Sequence, residues 1–271
     1  PVFIFGWGIR LSRSEELIKK LIQKIQIPVV LTWAVRDLIG HDQRLLVGGF
    51  GTHSARAANF TVQNADLIIS IGSRLDTKAT GSPVKTFARN AKIIMVDIDK
   101  SETNKFKTLG KKIDLSINTD ANEFINNLIK SQNTINNDDY KNWLNKIEGW
   151  KKTFGSIDDF SKIKTKNVNP YLFVKKLSML LPDKKIIFSD TGCALAWMMQ
   201  GFEFKKSQRF IHAFNNTPMG YGLAACIGGS CENNEILLIT GDGSIMMSIQ
   251  ELATIQRNKL PVKVILFNNH G

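Results

Sequence analysis

Short apolar runs alternate along the chain with stretches in which apolar residues recur every three or four positions. The runs at 2–5, 28–32, 65–71 and 92–98 predict buried strands, since a strand covered on both faces loses the polar alternation of a half-exposed sheet. Helical patterns lie between them. Leu17, Ile18, Leu21, Ile22 and Ile25 share one face, with Ser12 and Glu15 spaced as a capping box. A glycine turn at 48–51 leads to a helix that Thr52 is placed to cap, and 124–129 falls in a later helix. Strand and helix alternating at this spacing predicts an α/β fold with a parallel sheet covered on both faces.

Residues 130–169 interrupt the alternation. They are rich in Asn, Lys and Asp, yet Tyr140, Trp143, Leu144, Ile147 and Trp150 keep a helical period. This predicts a polar linker with one amphipathic helix that packs its aromatic stripe on a neighbouring domain. A second α/β unit starts where Asn169 can cap a helix and Pro170 can occupy its first turn. Strands are expected at 185–189, 210–213, 236–240 and 262–267, with helices at 194–200, 219–226 and 248–257. The predicted organisation is two doubly wound parallel-sheet domains, 1–130 and 170–271, joined by the linker 131–169. The last strand has barely finished at Gly271, so the chain reads as cut there.

Composition agrees with this picture and narrows it. A length of 271 residues suits two domains of about 150 residues each. With 43% hydrophobic and 22% charged residues, the chain has material for packed cores. No apolar run approaches the ~18 residues of a membrane span, and the chain opens without a basic, secretory n-region. Three cysteines without a C-x-x-C spacing fit a cytoplasmic location better than a disulfide framework. Lys and Arg exceed Asp and Glu by 36 − 24 = 12, but the excess is spread along the chain in isolated pairs. That distribution predicts solvated faces and argues against a nucleic-acid partner.

Candidate chemistry concentrates near the C-terminus. Gly241-Asp242-Gly243-Ser244 ends one predicted strand and Asn268-Asn269 ends the next, with 268 − 243 − 1 = 24 residues between Gly243 and Asn268. That length suits one crossover helix and a return strand, so both loops are expected side by side at the sheet edge where α/β proteins bind ligands. The glycines allow close approach of backbone amides to a phosphate. Asp242 and an Asn amide are hard oxygen ligands of the kind that hold Mg²⁺ against a diphosphate. Each motif alone reads as a turn or a cap; together they point to a metal–diphosphate site.

With these motifs the sequence resembles the thiamine diphosphate-dependent enzymes, in their acetolactate synthase-like branch. The resemblance runs through 241–252, 217–222, 72–76 and 97–99, and so covers nearly the whole chain. It implies Asp242, the Asn269 side chain and the Gly271 carbonyl as Mg²⁺ ligands, with Gly243 and Ser244 on the diphosphate and Gly241, Gly192 and Cys193 in the surrounding cofactor loops. Met219 would sit under the cofactor and enforce its bent shape, while Thr217, followed by Pro218, would lie where a backbone carbonyl meets the aminopyrimidine. In the first domain the resemblance implies FAD along Gly51, Arg74, Asp76, Asp97 and Asp120, with Arg74 near the flavin diphosphate. Two positions depart from the branch: Cys193-Ala194 stands where acetolactate synthases place Gln and His, and Phe50 replaces a histidine.

The implied activity is a carboligase that decarboxylates a 2-keto acid such as pyruvate and transfers the two-carbon unit to a second carbonyl. A decarboxylase releasing the aldehyde, or a non-catalytic module retaining the fold, are the alternatives. The family's activating glutamate belongs to an N-terminal pyrimidine-binding domain, usually of a second subunit, and no segment here resembles it. The resemblance therefore implies a homodimer or homotetramer with its site at a subunit interface, and a fragment inactive by itself.

Overall fold

The computed structural model describes residues 1–131, 140–154, 166–231 and 234–270. They form two compact units, the first from residues 1–38 and 42–154, the second from 39–41 and 166–270. Among the described residues no helix is long and apolar enough to cross a membrane.

The first unit holds six parallel strands: β1 (Val2–Phe5), β2 (Val29–Leu31), β3 (Leu46–Gly49), β4 (Leu67–Ile71), β5 (Lys92–Asp97) and β6 (Leu115–Asn118). Their order is β3-β2-β1-β4-β5-β6, so the chain reverses direction across the sheet between β1 and β4. β1 lies in the middle with all four residues buried, which is why its sequence is continuously apolar. Val2, Ile4, Val30, Ile68, Ile93 and Met95 build the core with Phe87 and Phe106. The aromatic helix, Lys141–Phe154, packs on this unit: Trp150 lies 5.9 Å from the Phe60 ring and 5.7 Å from Trp143, and Ile147 is buried.

In the second unit β7 (Ile186–Ser189), β8 (Arg209–Ile211), β9 (Ile236–Gly241) and β10 (Val262–Phe267) form a parallel sheet in the order β10-β9-β7-β8. Phe188, Leu223, Cys226, Ile236 and Leu238 form its core. Burial pushes the Cys226 thiol up to about 12, so it behaves there as a small apolar group. The helix Pro170–Leu180 starts as its sequence predicts, with the Asn169 side chain accepting from the amides of Tyr171 and Leu172.

Several local expectations are corrected. The capping box does not form: the helix begins at Glu15, and the Ser12 hydroxyl bonds to Ile9 O and Ser14 instead. Thr52 does not cap the helix Arg56–Asn64 but donates to Lys78 O. Gly48 and Gly49, read as part of a turn, belong to β3 by pairing with Val30 and Leu31, and the Arg36 side chain crosses Gly49 so closely that a Cβ would come within 2.6 Å of it. β6 carries no apolar run because it is a largely exposed edge strand. The parts of the linker at 132–139 and 155–165 lie outside the described residues.

The loops after β1 and β4 meet backbone to backbone. Gly6 N donates to Ile71 O and Gly8 N to Gly72 O, and a Cβ on Gly6 would lie 2.3 Å from Ser73 Cα. Neither side can yield without breaking the sheet. Gly6→Ala should therefore destabilise the first unit by about 3 kcal/mol or more, measured as a fall in the urea midpoint.

Candidate cofactor site

Every site residue expected in the second unit and described in the structure lies at or beyond the C-terminal end of a parallel strand, where α/β sheets bind ligands. The decisive geometry is the pairing of β9 with β10. Gly241 stands opposite Phe267 in the register, so Asp242 and Asn268 leave the sheet next to each other. Asp242 then opens the short helix Asp242–Met246, whose first amides have no carbonyl partner within the helix. Asp242 is half-buried, Gly243 exposed and Ser244 buried. Asn268 and Asn269 are exposed, and the Asn268 side chain accepts from the His270 amide. Gly271 lies outside the described residues.

The loop between β8 and the helix Tyr221–Ser230 closes over this edge. A helix was expected from Met219, yet it starts only at Tyr221, because Thr217 and Gly220 adopt positive φ of 47° and 84° and turn the chain sharply. Met219 is 47% exposed, and a Cβ built on Gly243 would lie 3.5 Å from its Cε. The structure thus brings Met219 and the Gly241–Ser244 loop together. Thr217 and Pro218 border a cleft with Asp190 and Thr191 from the loop after β7. Gly192, at φ 76°, leads from that loop into the helix that starts at the exposed Cys193.

Two residues that sequence reasoning missed fix the turn. The buried Asp190 carboxylate accepts from Gly222 N at 3.3 Å and Thr191 N at 2.9 Å. The buried Ser248 hydroxyl donates to Gly220 O at 2.9 Å. Ser248 precedes the helix Glu251–Arg257, in a tight turn where a helix was expected. Its place within the quoted 241–252 motif was the one signal available, and that signal does not say what the hydroxyl touches.

Among the described residues no cluster of three or more His, Cys, Asp or Glu side chains is placed to hold a metal. The available donor set is one carboxylate, Asp242, with amide and backbone oxygens. Such a set suits Mg²⁺ when phosphate oxygens complete the octahedron, and the open amides at Gly243 suit the phosphate.

The residues expected at a flavin site also lie on the C-terminal edge of their sheet, but each serves its own loop. Arg74 Nε donates to Glu102 at 2.8 Å, and Lys105 Nζ donates to Arg74 O at 2.7 Å. Asp76 and Asp120 cap the helices that follow them, through the amides of Ala79 and Asn122. Asn59 clamps both backbone groups of Gly51. Asp97 accepts from the Asp99 amide, and its pKa is raised by burial and by the neighbouring Glu102 and Asp99 carboxylates. Each of these groups thus has a partner within the first unit, and Arg74 keeps a largely exposed side chain.

Residues 1–128 match the thiamine pyrophosphate enzyme central domain, and residues 190–271 match the thiamine pyrophosphate enzyme C-terminal TPP binding domain. The chain belongs to the thiamine pyrophosphate enzymes. It is 32% identical over 285 residues to a probable acetolactate synthase large subunit of Methanococcus aeolicus, covering 99% of this chain and 46% of the relative. It is 30% identical over 278 residues to the acetolactate synthase isozyme 1 large subunit of Escherichia coli, covering 100% of this chain and 46% of that relative. The chain thus spans about half the length of these relatives. The region matched as TPP binding in this thiamine pyrophosphate enzyme begins at the residue after β7 and holds the loops of Asp190, Thr217–Gly220, Asp242 and Asn268.

Two outcomes follow from this geometry. Gly220→Ala would place a Cβ 2.9 Å from Met247 Cβ at a φ that disfavours side chains, and should cost about 1–3 kcal/mol in a denaturant titration. Asp97, with its pKa raised, favours the fold when protonated, and that contribution is lost as pH rises through the raised value. Asp97→Asn should therefore be more stable than the parent at neutral pH and lose the advantage below the ordinary carboxylate range, as read from urea midpoints at the two pH values.

Proposed function

We propose that the whole protein is an acetolactate synthase-like carboligase that depends on thiamine diphosphate and Mg²⁺, decarboxylating a 2-keto acid such as pyruvate and transferring the two-carbon unit to a second carbonyl. The observation that carries this reading is the juxtaposition of Asp242 and Asn268 at the paired ends of β9 and β10, with Met219 against Gly243. Similarity to acetolactate synthase large subunits over 99–100% of the chain supports the reaction class.

Each residue then has a task. Asp242, the Asn269 amide oxygen and the Gly271 carbonyl hold Mg²⁺, and the Gly243 and Ser244 amides take the diphosphate oxygens. Met219 supports the bend of the cofactor, and the Thr217 carbonyl accepts from its aminopyrimidine. When bound, thiamine diphosphate supplies an electron sink that allows a 2-keto acid to lose CO₂. The chain's part is to orient that group and the substrate, and to keep competing water out. The assembled enzyme is a homo-oligomer of the cytoplasm whose site is completed by an activating glutamate from another domain.

Calorimetric titration of thiamine diphosphate into the whole protein should give binding that requires Mg²⁺ and weakens at least about tenfold in Asp242→Ala. Metal-independent binding, or no change in that variant, refutes the site. Product analysis with pyruvate then tests the reaction: acetaldehyde as the sole product in the presence of acceptor keto acids would favour a simple decarboxylase, and acetolactate or another ligated product supports the carboligase.

A further inference from the structure

The turn that presents Met219 has no regular structure of its own, so something else must set its position. Two side chains do so from opposite sides. Asp190, at the end of β7, receives the Gly222 amide, and Ser248 donates its hydroxyl to Gly220 O at 2.9 Å. Ser248 differs from Asp190 in what it joins. Its amide donates to Ile245 O in the helix that Asp242 opens, and its carbonyl accepts from Glu251 N in the helix that follows. One buried residue thus ties the diphosphate loop to the Met219 turn. The approach is tight, since a Cβ on Gly220 would meet Ser248 Oγ at 3.3 Å as well as Met247 Cβ.

We propose that Ser248 is a positioning residue: its hydroxyl, through Gly220 O, fixes the distance between Met219 and the Gly241–Ser244 loop and so holds the two halves of the site in register for thiamine diphosphate. The inference rests on the cofactor reading above and deepens it. A residue with this task should affect a ligand that spans both halves and spare one that fills only the diphosphate half. Losing one hydrogen bond of ordinary strength corresponds to about a fivefold change in binding.

The test uses the whole protein, Mg²⁺ and two probes, thiamine diphosphate and inorganic diphosphate. Ser248→Ala should weaken thiamine diphosphate about fivefold and reduce the near-ultraviolet circular dichroism of the bound cofactor, while inorganic diphosphate binds within about twofold of the parent. Ser248→Thr, which keeps the hydroxyl, should recover most of the affinity. In a Met219→Ala background the Ser248→Ala penalty should vanish, because the two residues act through one another. Equal losses for both probes, additive penalties, or an unchanged affinity overturn the proposal. Ser248→Cys, with a weaker donor of similar size, should fall between parent and Ala, and provides the same reading should the Ala variant not fold. Failure of the parent itself to bind thiamine diphosphate would refute the cofactor reading, and this inference with it.

Discussion

The candidate site depends on one backbone ladder, the parallel pairing of β9 with β10. Gly241 faces Phe267 at its end, and this match places the acidic loop beside the Asn268-Asn269 loop. Parallel pairing is weaker per residue than antiparallel and needs cover on its faces. Ile236, Leu238 and Ile239 are fully buried on β9, with Leu223 and Cys226 packed in the same core. That burial holds the strand on which Asp242 depends, so mutations in the core should be felt at the sheet edge before any loop residue is touched.

The two units use the same sheet edge in different ways. In the first, three aspartates cap the helices after β4, β5 and β6, and the Arg74 guanidinium is given to Glu102. Satisfying helix ends from within stabilises the loops but leaves fewer donors for a ligand. In the second, the helix after β9 opens on a glycine with no side-chain cap, and Gly192 and Gly220 likewise precede helices without one. With Gly192 exposed and, among the described helix starts, only the Gly222 amide given to a side chain, Asp190, this edge is less self-sufficient and better suited to an anionic partner.

Much of this was legible in the sequence. The buried strands were marked by continuous apolar runs, and the adjacency of the two C-terminal loops followed from their spacing and the handedness of parallel connections. What escaped had physical reasons. β6 is an exposed edge strand with no apolar signal, and β3 ends in two glycines, of which Gly49 lies under the Arg36 side chain and Gly48 has positive φ. The helix expected from Met219 starts later because a β-branched Thr217 adopts positive φ, which no periodicity reports. Ser248 was readable as part of a motif but not as a clamp, since its partner lies 28 residues away across the fold.

The ladder has a bearing on how such a sequence can drift. The register between β9 and β10 fixes which residues meet at the edge, whereas the helix Glu251–Arg257 and the turn after it only have to bring the chain back. Lengthening a surface connection costs little, and a one-residue slip within a strand inverts its faces. Of the 24 residues that separate Gly243 from Asn268, those of β10, Ser244 and Ser248 are therefore held in place, and only the stretch between Arg257 and Val262 is free to change length. Insertions between the strands can accumulate while the acid and the amide stay neighbours, so searches for distant relatives should weight strand ends and let the interval float.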